Sequence, residues 1–116
     1  MDIILANTAG FCFGVNNAIK IAEDMQDDEI VICTLGLLIH NEQVVNSLKE
    51  KGIRVISDIN EAPEGSRVII RAHGVTPEVY EEAEKRNVVI VDATCPYVKK
   101  IHKLIRQMHK DGYTIV

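Results

Sequence analysis

Two cysteines and two histidines have the residue types and positions to bind a metal or a phosphate group. They are Cys12, His40, His73 and Cys95. Each is predicted to follow a strand and to come just before a helix. The carboxyl ends of parallel strands meet at one edge of an open α/β sheet, where such folds bind ligands. We therefore expect these four side chains to lie at the same edge.

The two cysteines both lie at predicted helix N-termini. Cys12 is flanked by Gly10 and Gly14, which would let the backbone approach a bulky ligand closely. Cys95 comes immediately before Pro96, which opens the last predicted helix. A helix N-terminus favours the thiolate over the thiol, and the thiolate is the form that binds metals.

The histidines are weaker signals than the cysteines. His40 and His73 can donate hydrogen bonds to phosphate oxygens or ligate a metal ion. A histidine in a loop is also common at an ordinary surface, so the shared placement of all four residues carries the prediction. Cys33 lies inside an apolar strand and is predicted to be structural, and His102 and His109 are predicted to lie on a solvated helix surface.

The elements that must position these residues alternate between strand and helix. The predicted strands are 2–7, 30–34, 54–56, 67–71, 88–92 and 113–116, and the predicted helices are 15–26, 41–51, 76–87 and 96–111. This order predicts an α/β fold, with a parallel sheet and covering helices. The consecutive apolar residues of strand 88–92 predict that it is covered on both faces.

Composition excludes several classes of protein. The chain has 116 residues, a formal net charge of -4 and 47% hydrophobic residues, which is typical of a globular protein. It has no basic excess to neutralise phosphates, so we expect no nucleic-acid binding by this segment. No apolar run approaches the roughly 18 residues of a membrane span, and no signal peptide is evident. We expect a cytoplasmic location, where widely spaced cysteines stay reduced.

Four short motifs surround the candidate residues and occur in a fixed order. They are Gly10-Phe11-Cys12-Phe13-Gly14-Val15, Leu38-Ile39-His40-Asn41, Arg71-Ala72-His73-Gly74-Val75 and Asp92-Ala93-Thr94-Cys95-Pro96. Together they resemble the N-terminal part of the 4-hydroxy-3-methylbut-2-enyl diphosphate reductase family. Its members catalyse the last step of the methylerythritol phosphate pathway of isoprenoid biosynthesis. The resemblance spans nearly the whole chain.

The resemblance implies an iron-sulfur oxidoreductase. Members hold a 4Fe-4S cluster through three cysteines and receive electrons from ferredoxin or flavodoxin. They convert 4-hydroxy-3-methylbut-2-enyl diphosphate to isopentenyl and dimethylallyl diphosphate by two-electron reductive dehydroxylation. Carried over to this chain, Cys12 and Cys95 are two of the three metal ligands, and His40 and His73 are two of the substrate-binding histidines for the diphosphate.

The resemblance also implies that parts of the family's site lie outside this chain. The third cysteine ligand, the proton-relay glutamate and a Ser-x-Asn diphosphate site are expected beyond Val116, and Cys33 is not the missing ligand. No catalytic residue is therefore expected here, and the chain alone is predicted to be inactive. The family's enzymes have three similar α/β domains related by pseudo-threefold symmetry. We expect residues 1–96 to form the first domain and residues 97–116 to begin a truncated second domain.

Two alternatives come from other functional classes. In the first, Cys12, Cys95, His40 and His73 form a Cys2His2 zinc site in a small metal-binding protein. Their wide dispersal along the chain is unusual for zinc. In the second, a non-catalytic domain binds diphosphates through the two histidines and tolerates the loss of Cys12.

Overall fold

A computed structural model describes residues 1–25 and 29–116 as a four-stranded parallel sheet with helices. The elements are α1 (Phe13–Asp24), β1 (Ile32–Leu35), α2 (Glu42–Glu50), β2 (Arg54–Ile56), a 3-10 helix (Ile59–Glu61), β3 (Arg67–Ile70), α3 (Pro77–Lys85), β4 (Val89–Asp92) and α4 (Pro96–Lys110). The predicted end of the first helix, Gln26, lies outside the described residues.

The strand order is β2-β1-β3-β4, and every neighbouring pair is parallel. The register places Ile70 of β3 beside Leu35 of β1 on one side and Asp92 of β4 on the other. The α/β class and the parallel sheet are thus confirmed. Because the last residues of these three strands lie side by side, the loops that follow them start at one edge of the sheet.

Helices cover both faces of the sheet. Successive strand residues point to opposite faces, and the two buried clusters divide accordingly. Ile69 packs with Ala18 and Ala22 of α1 and with Leu48 of α2. The second cluster contains Val68 of β3, Ala83 of α3 and Ile59 of the 3-10 helix, among other residues. The sheet is therefore the middle of three layers.

Two predicted strands do not form. Residues 2–7 and 113–116 have no strand conformation, and their side chains are exposed, with Ile4 92% accessible. Apolar character alone predicted these strands, but a strand also needs a neighbour to accept its hydrogen bonds. Neither segment pairs with another strand in the part of the chain that the structure describes.

The prediction that strand 88–92 is covered on both faces holds only in part. Ile90 and Val91 are partly buried and pack against the clusters on opposite faces of the sheet, but Val89 is 54% exposed. β4 pairs only with β3 and is an edge strand of the described sheet. Its apolar run is typical of a central strand, but in the described part of the chain no strand pairs with its outer edge.

The last helix, α4, differs from the other helices in its burial. None of its residues is buried, and Leu104 on its apolar side is 58% exposed. None of the helices within residues 1–25 and 29–116 combines the length and apolar composition needed to cross a membrane.

Candidate functional site

The loop after β4 is tied to the loop after β3. The backbone N–H of Cys95 donates to the carbonyl oxygen of Ala72 at 3.0 Å. The N–H of Thr94 donates to Oδ1 of Asp92 at 2.9 Å. These bonds fix the backbone of Cys95 next to the turn that contains His73, so a cysteine and a histidine of the predicted site have neighbouring supports.

Cys12 reaches this region through helix contacts. The prediction that it follows a strand is wrong, because residues 2–7 form none. Instead, Gly14 of α1 lies against Cys95, and a Cβ on Gly14 would stand 2.8 Å from Cβ and 2.9 Å from Sγ of Cys95. Only glycine allows such an approach. The first turn of α1 therefore meets the start of α4.

An aromatic contact joins the same two helices. The rings of Phe13 and Tyr97 meet edge to face, with centroids 6.5 Å apart. Phe13 follows Cys12 directly, and Tyr97 comes two residues after Cys95. Such pairs stabilise by about 0.5–1.5 kcal/mol beyond the area they bury. Two independent contacts thus hold the surroundings of the cysteines together.

The thiols of Cys12 and Cys95 are available to a ligand. Each residue occupies the N-cap position of its helix, and neither side chain makes a capping hydrogen bond. Both are free thiols, with Cys12 exposed and Cys95 partly buried. Cys33, in contrast, is fully buried in β1, where desolvation raises its pKa although Arg54 lowers it in part. This is the structural position predicted for Cys33.

The two histidines follow neighbouring strands, β1 and β3, and both are exposed. His40 precedes Asn41, whose Oδ1 accepts a hydrogen bond from the N–H of Val44 at 3.1 Å and so caps α2. His73 lies in a turn closed by the N–H of Gly74, which donates to the carbonyl of Arg71 at 3.0 Å. Both imidazoles are open to a ligand.

His102 is a residue whose position the sequence did not reveal. It was predicted to lie on a solvated helix surface, but it is partly buried against the turn that contains His73. A Cβ on Gly74, where φ is +80°, would stand 3.1 Å from Cε1 of His102 and 3.3 Å from Oγ1 of Thr94. No pattern in the sequence distinguishes His102 from the exposed His109.

A second missed residue is Arg71, the first residue after β3. Its Nη1 lies 3.6 Å from the position that a Cβ on Gly36 would occupy, so its side chain extends over the loop that follows β1. Arg71 belongs to a motif noted in the sequence, but periodicity and spacing gave no reason to select it. It adds a positive charge at the carboxyl edge of the sheet.

An ion pair lies beside this edge. Nζ of Lys99 is 2.7 Å from Oδ2 of Asp92. Partial burial alone would raise the pKa of Asp92, but hydrogen bonds from Lys99 and Thr94 outweigh it and lower that pKa. Burial and the nearby Asp92 carboxylate together raise the pKa of Tyr80. Helix α4, which follows Cys95, is thus anchored to the end of β4 through its first turn.

The four predicted residues are not gathered around one ion. Within residues 1–25 and 29–116, no group of three or more His, Cys, Asp and Glu side chains could hold a metal. A Cys2His2 zinc site needs four ligands at one point, so the geometry does not support it. Cys12 and Cys95 instead occupy the N-cap positions of two helices whose first turns are in contact.

Sequence comparison finds related proteins over the whole chain. Residues 3–116 match the family of the LytB protein. The 4-hydroxy-3-methylbut-2-enyl diphosphate reductase of Clostridioides difficile is 44% identical over 117 residues, with 100% of this chain and 42% of the relative covered. That of Alkaliphilus oremlandii is 48% identical with the same coverage. The chain thus spans about 42% of these relatives and matches their N-terminal part.

Solved structures give the same result. A structure of (E)-4-hydroxy-3-methyl-but-2-enyl diphosphate reductase, described as the terminal enzyme of the non-mevalonate pathway, has 46% identity and a TM-score of 0.80 over 96% of this chain and 40% of its own. A structure of the corresponding reductase from Plasmodium falciparum has 35% identity and a TM-score of 0.85, over 92% of this chain and 34% of its own.

Proposed function

The chain belongs to the LytB protein family, and from that premise we propose that it is the N-terminal part of a 4-hydroxy-3-methylbut-2-enyl diphosphate reductase. The observation that carries the proposal is the packing of Cys95 against Gly14, two residues from Cys12. It joins two helix starts that each present a free thiol. The reaction is the two-electron dehydroxylation of the substrate to isopentenyl and dimethylallyl diphosphate.

Cys12 and Cys95 would provide two thiolate ligands to a 4Fe-4S cluster, with the third from the rest of the protein. The absence of a side chain at Gly14 leaves room for Sγ of Cys95. When bound, the cluster supplies electrons and a Lewis-acidic iron at which a hydroxyl group can leave. The two cysteines contribute thiolates. The backbone bond from Cys95 to Ala72 and the ring contact between Phe13 and Tyr97 hold their surroundings in place.

His40 and His73 would hold the diphosphate of the substrate. Both are exposed, and they follow adjacent strands, so two donors come from separate loops of one rigid sheet. Imidazolium N–H groups form charge-assisted hydrogen bonds to phosphate oxygens, which are stronger than bonds between neutral groups. The histidines thereby orient the substrate and leave its chemistry to groups beyond this chain.

The domain assignment belongs to the same proposal. Residues 1–96 form the first domain, and residues 97–116, which include nearly all of α4, begin the second. The absence of buried residues from α4 supports this boundary.

The proton-relay glutamate and the third cysteine lie in the rest of the protein, so the chain alone has no activity. Ferredoxin or flavodoxin supplies electrons in the cytoplasm, where reducing conditions keep the thiols free.

The test uses the full-length protein that contains this chain, purified without oxygen and supplied with dithionite and methyl viologen. We expect it to convert 4-hydroxy-3-methylbut-2-enyl diphosphate to the two isoprenoid diphosphates, and the 116-residue chain to form neither. His40→Ala and His73→Ala should each raise KM at least about tenfold, since each removes a charge-assisted bond. His109→Ala is the matched control, because His109 is exposed on α4. An unchanged KM in the first two variants contradicts the assignment.

A further inference from the structure

Helix α4 concentrates the positive charge of an acidic chain. It carries Lys99, Lys100, Lys103, Arg106 and Lys110 but no aspartate or glutamate, although the chain as a whole has a net charge of -4. All five of these side chains are exposed. The positive charge is therefore local, and it differs in sign from the rest of the molecule.

Four of these cations form one stripe, which we call the basic stripe: Lys99, Lys103, Arg106 and Lys110. At about 100° per residue they fall within about 60° of the helix circumference. The exposed apolar residues of α4 lie on the opposite side of the helix. They are Tyr97, Ile101, Leu104, Ile105 and Met108. A surface that covers the apolar side leaves the basic stripe accessible.

The basic stripe borders a cleft of about 630 Å³ between α3 and α4. Pro77, Tyr80 and Glu81 form the opposite wall. Gly74 and Thr94 also line the cleft, and these residues belong to the turns next to His73 and Cys95. The cleft thus connects the basic stripe to the candidate site.

The four cations of the basic stripe differ in the ion pairs and hydrogen bonds that they make. Lys99 pairs with Asp92 at 2.7 Å, and Nε of Arg106 donates to the carbonyl of His102 at 3.3 Å. Among the residues that the structure describes, Lys103 and Lys110 make no ion pair. Exposed charges that no neighbour neutralises project a field that attracts a partner of opposite sign.

We propose that the basic stripe is the docking surface for an acidic electron-transfer protein, an inference that rests on the proposed function. Removal of a hydroxyl group as water consumes two electrons and two protons, so two one-electron carriers are oxidised for each product formed. In the proposed function a separate electron-transfer protein supplies these electrons, and it must contact the enzyme close to the cluster.

The location of the basic stripe suits that task. The N–H of Lys99 donates to the carbonyl of Cys95 at 2.9 Å, so the stripe begins one helical turn after the proposed cluster ligand. A carrier bound along α4 would lie beside this end of the site. Charge complementarity at such a surface mainly raises the association rate, and salt weakens the effect.

An amphipathic basic helix can also bind an anionic membrane, which is the competing interpretation. That mode needs the apolar side of α4 to insert between lipids. Docking of an acidic protein needs only the basic stripe, which remains open when the apolar side is covered. The observations therefore favour the protein partner, and vesicle binding is an outcome of the test.

The test compares two charge-reversed forms of the full-length protein. Lys103→Glu with Arg106→Glu reverses the basic stripe but leaves the Asp92–Lys99 pair in place. Lys20→Glu with Arg54→Glu makes the same charge change at exposed positions on α1 and β2. A reduced 2Fe-2S ferredoxin of strongly acidic composition serves as donor, and dithionite with methyl viologen serves as the donor that needs no docking.

We expect the stripe variant to have a KM for ferredoxin at least about tenfold higher than that of the wild type. Its Kd for ferredoxin, measured by calorimetry, should rise by the same factor. Its dithionite-driven rate should match the wild type, and the control variant should change neither quantity. An unchanged ferredoxin KM in the stripe variant overturns the proposal. A second outcome would overturn the proposal in favour of membrane binding. In that case the wild type binds phosphatidylserine vesicles, the stripe variant does not, and the ferredoxin kinetics of the two proteins are the same. A wild type inactive even with dithionite contradicts the proposed function itself.

Discussion

The apolar side chains of the sheet are buried, whereas those of the two segments that flank it are mostly exposed. In β3, Val68, Ile69 and Ile70 are all 0% exposed, because helices cover both faces of the sheet. In the flanks, 1–12 and 96–116, apolar side chains such as Ile4 and Leu104 are mostly accessible. The sheet region has a core of its own, whereas the apolar surface of the flanks is available to other partners.

The candidate site lies where these regions join. Cys12 ends the N-terminal flank, and Cys95 immediately precedes α4. His40 and His73, in contrast, lie in loops between elements of the sheet region. The proposed metal ligands thus depend on contacts between α1 and α4, while the proposed diphosphate ligands depend on the sheet. Substitutions that affect one region and leave the other intact can test this difference.

The largest effect is expected in the core. Ile69→Ala should lower the free energy of unfolding by about 2–5 kcal/mol, because it leaves a cavity at a fully buried position. Leu104→Ala is the control and should change the free energy by no more than about 0.5 kcal/mol, since Leu104 is mostly exposed in this chain. Urea denaturation of the 116-residue chain measures both. Equal losses would show that α4 packs as tightly as the sheet.

Gly74→Ala should have the next largest effect. The positive φ of +80° costs a non-glycine residue about 1–2 kcal/mol, and crowding against His102 and Thr94 adds to it. Gly52→Ala separates the cost of the positive φ from the cost of crowding, because φ is +83° at Gly52 but no atom lies within 4 Å of a Cβ there. Urea denaturation should show a greater loss for Gly74→Ala. Identical losses would mean that α4 does not press on the turn containing His73.

Gly14→Ala tests the contact between the cysteine regions. The new Cβ would collide with Cys95, so we expect affinity for iron in the full-length protein to fall at least about tenfold. Lys20→Ala on the exposed side of α1 is the control and should leave iron binding unchanged. Iron and acid-labile sulfide per protein are measured after reconstitution at limiting iron. Normal affinity in Gly14→Ala would rule out a requirement for this packing.

The smallest effect concerns the ion pair between Asp92 and Lys99. Folding lowers the pKa of Asp92, so the pair contributes stability above the unfolded value of 3.8, and this contribution is lost as pH falls through the folded value. Both side chains are partly exposed, which limits the contribution to about 1 kcal/mol or less. Asp92→Asn should remove this part of the acid dependence of unfolding. If the free energy of unfolding of the variant falls with pH as much as that of the wild type, the acid dependence comes from other carboxylates.

Most of the sheet region was predictable from the sequence because its signals are local. The strands and helices from residue 30 to 110 form within two residues of their predicted bounds. Local preferences also mark the helix ends: Pro77 and Pro96 begin helices, and Gly52 follows α2 with a positive φ. Each of these preferences depends on a few neighbouring residues.

The errors arose where structure depends on distant neighbours. Residues 2–7 have a strand pattern but no partner strand among the described residues, and the apolar run of β4 does not reveal that β4 is an edge strand of the described sheet. The contacts of Gly14 with Cys95 and of Gly74 with His102 join residues far apart in the chain. Spacing in one sequence carries no record of such contacts. The family, in contrast, was recognisable from four short motifs, and the comparisons confirm it.

Iron and acid-labile sulfide in three variants of the full-length protein test most directly whether this chain provides two cluster ligands. The variants are Cys12→Ser, Cys95→Ser and Cys33→Ser. We expect the first two to lose the cluster and the third to retain it, because Cys33 is fully buried in β1 and packs in the core with Val68 and Ala83. Retention of iron and sulfide by Cys12→Ser and Cys95→Ser, or their loss in Cys33→Ser alone, would contradict the account.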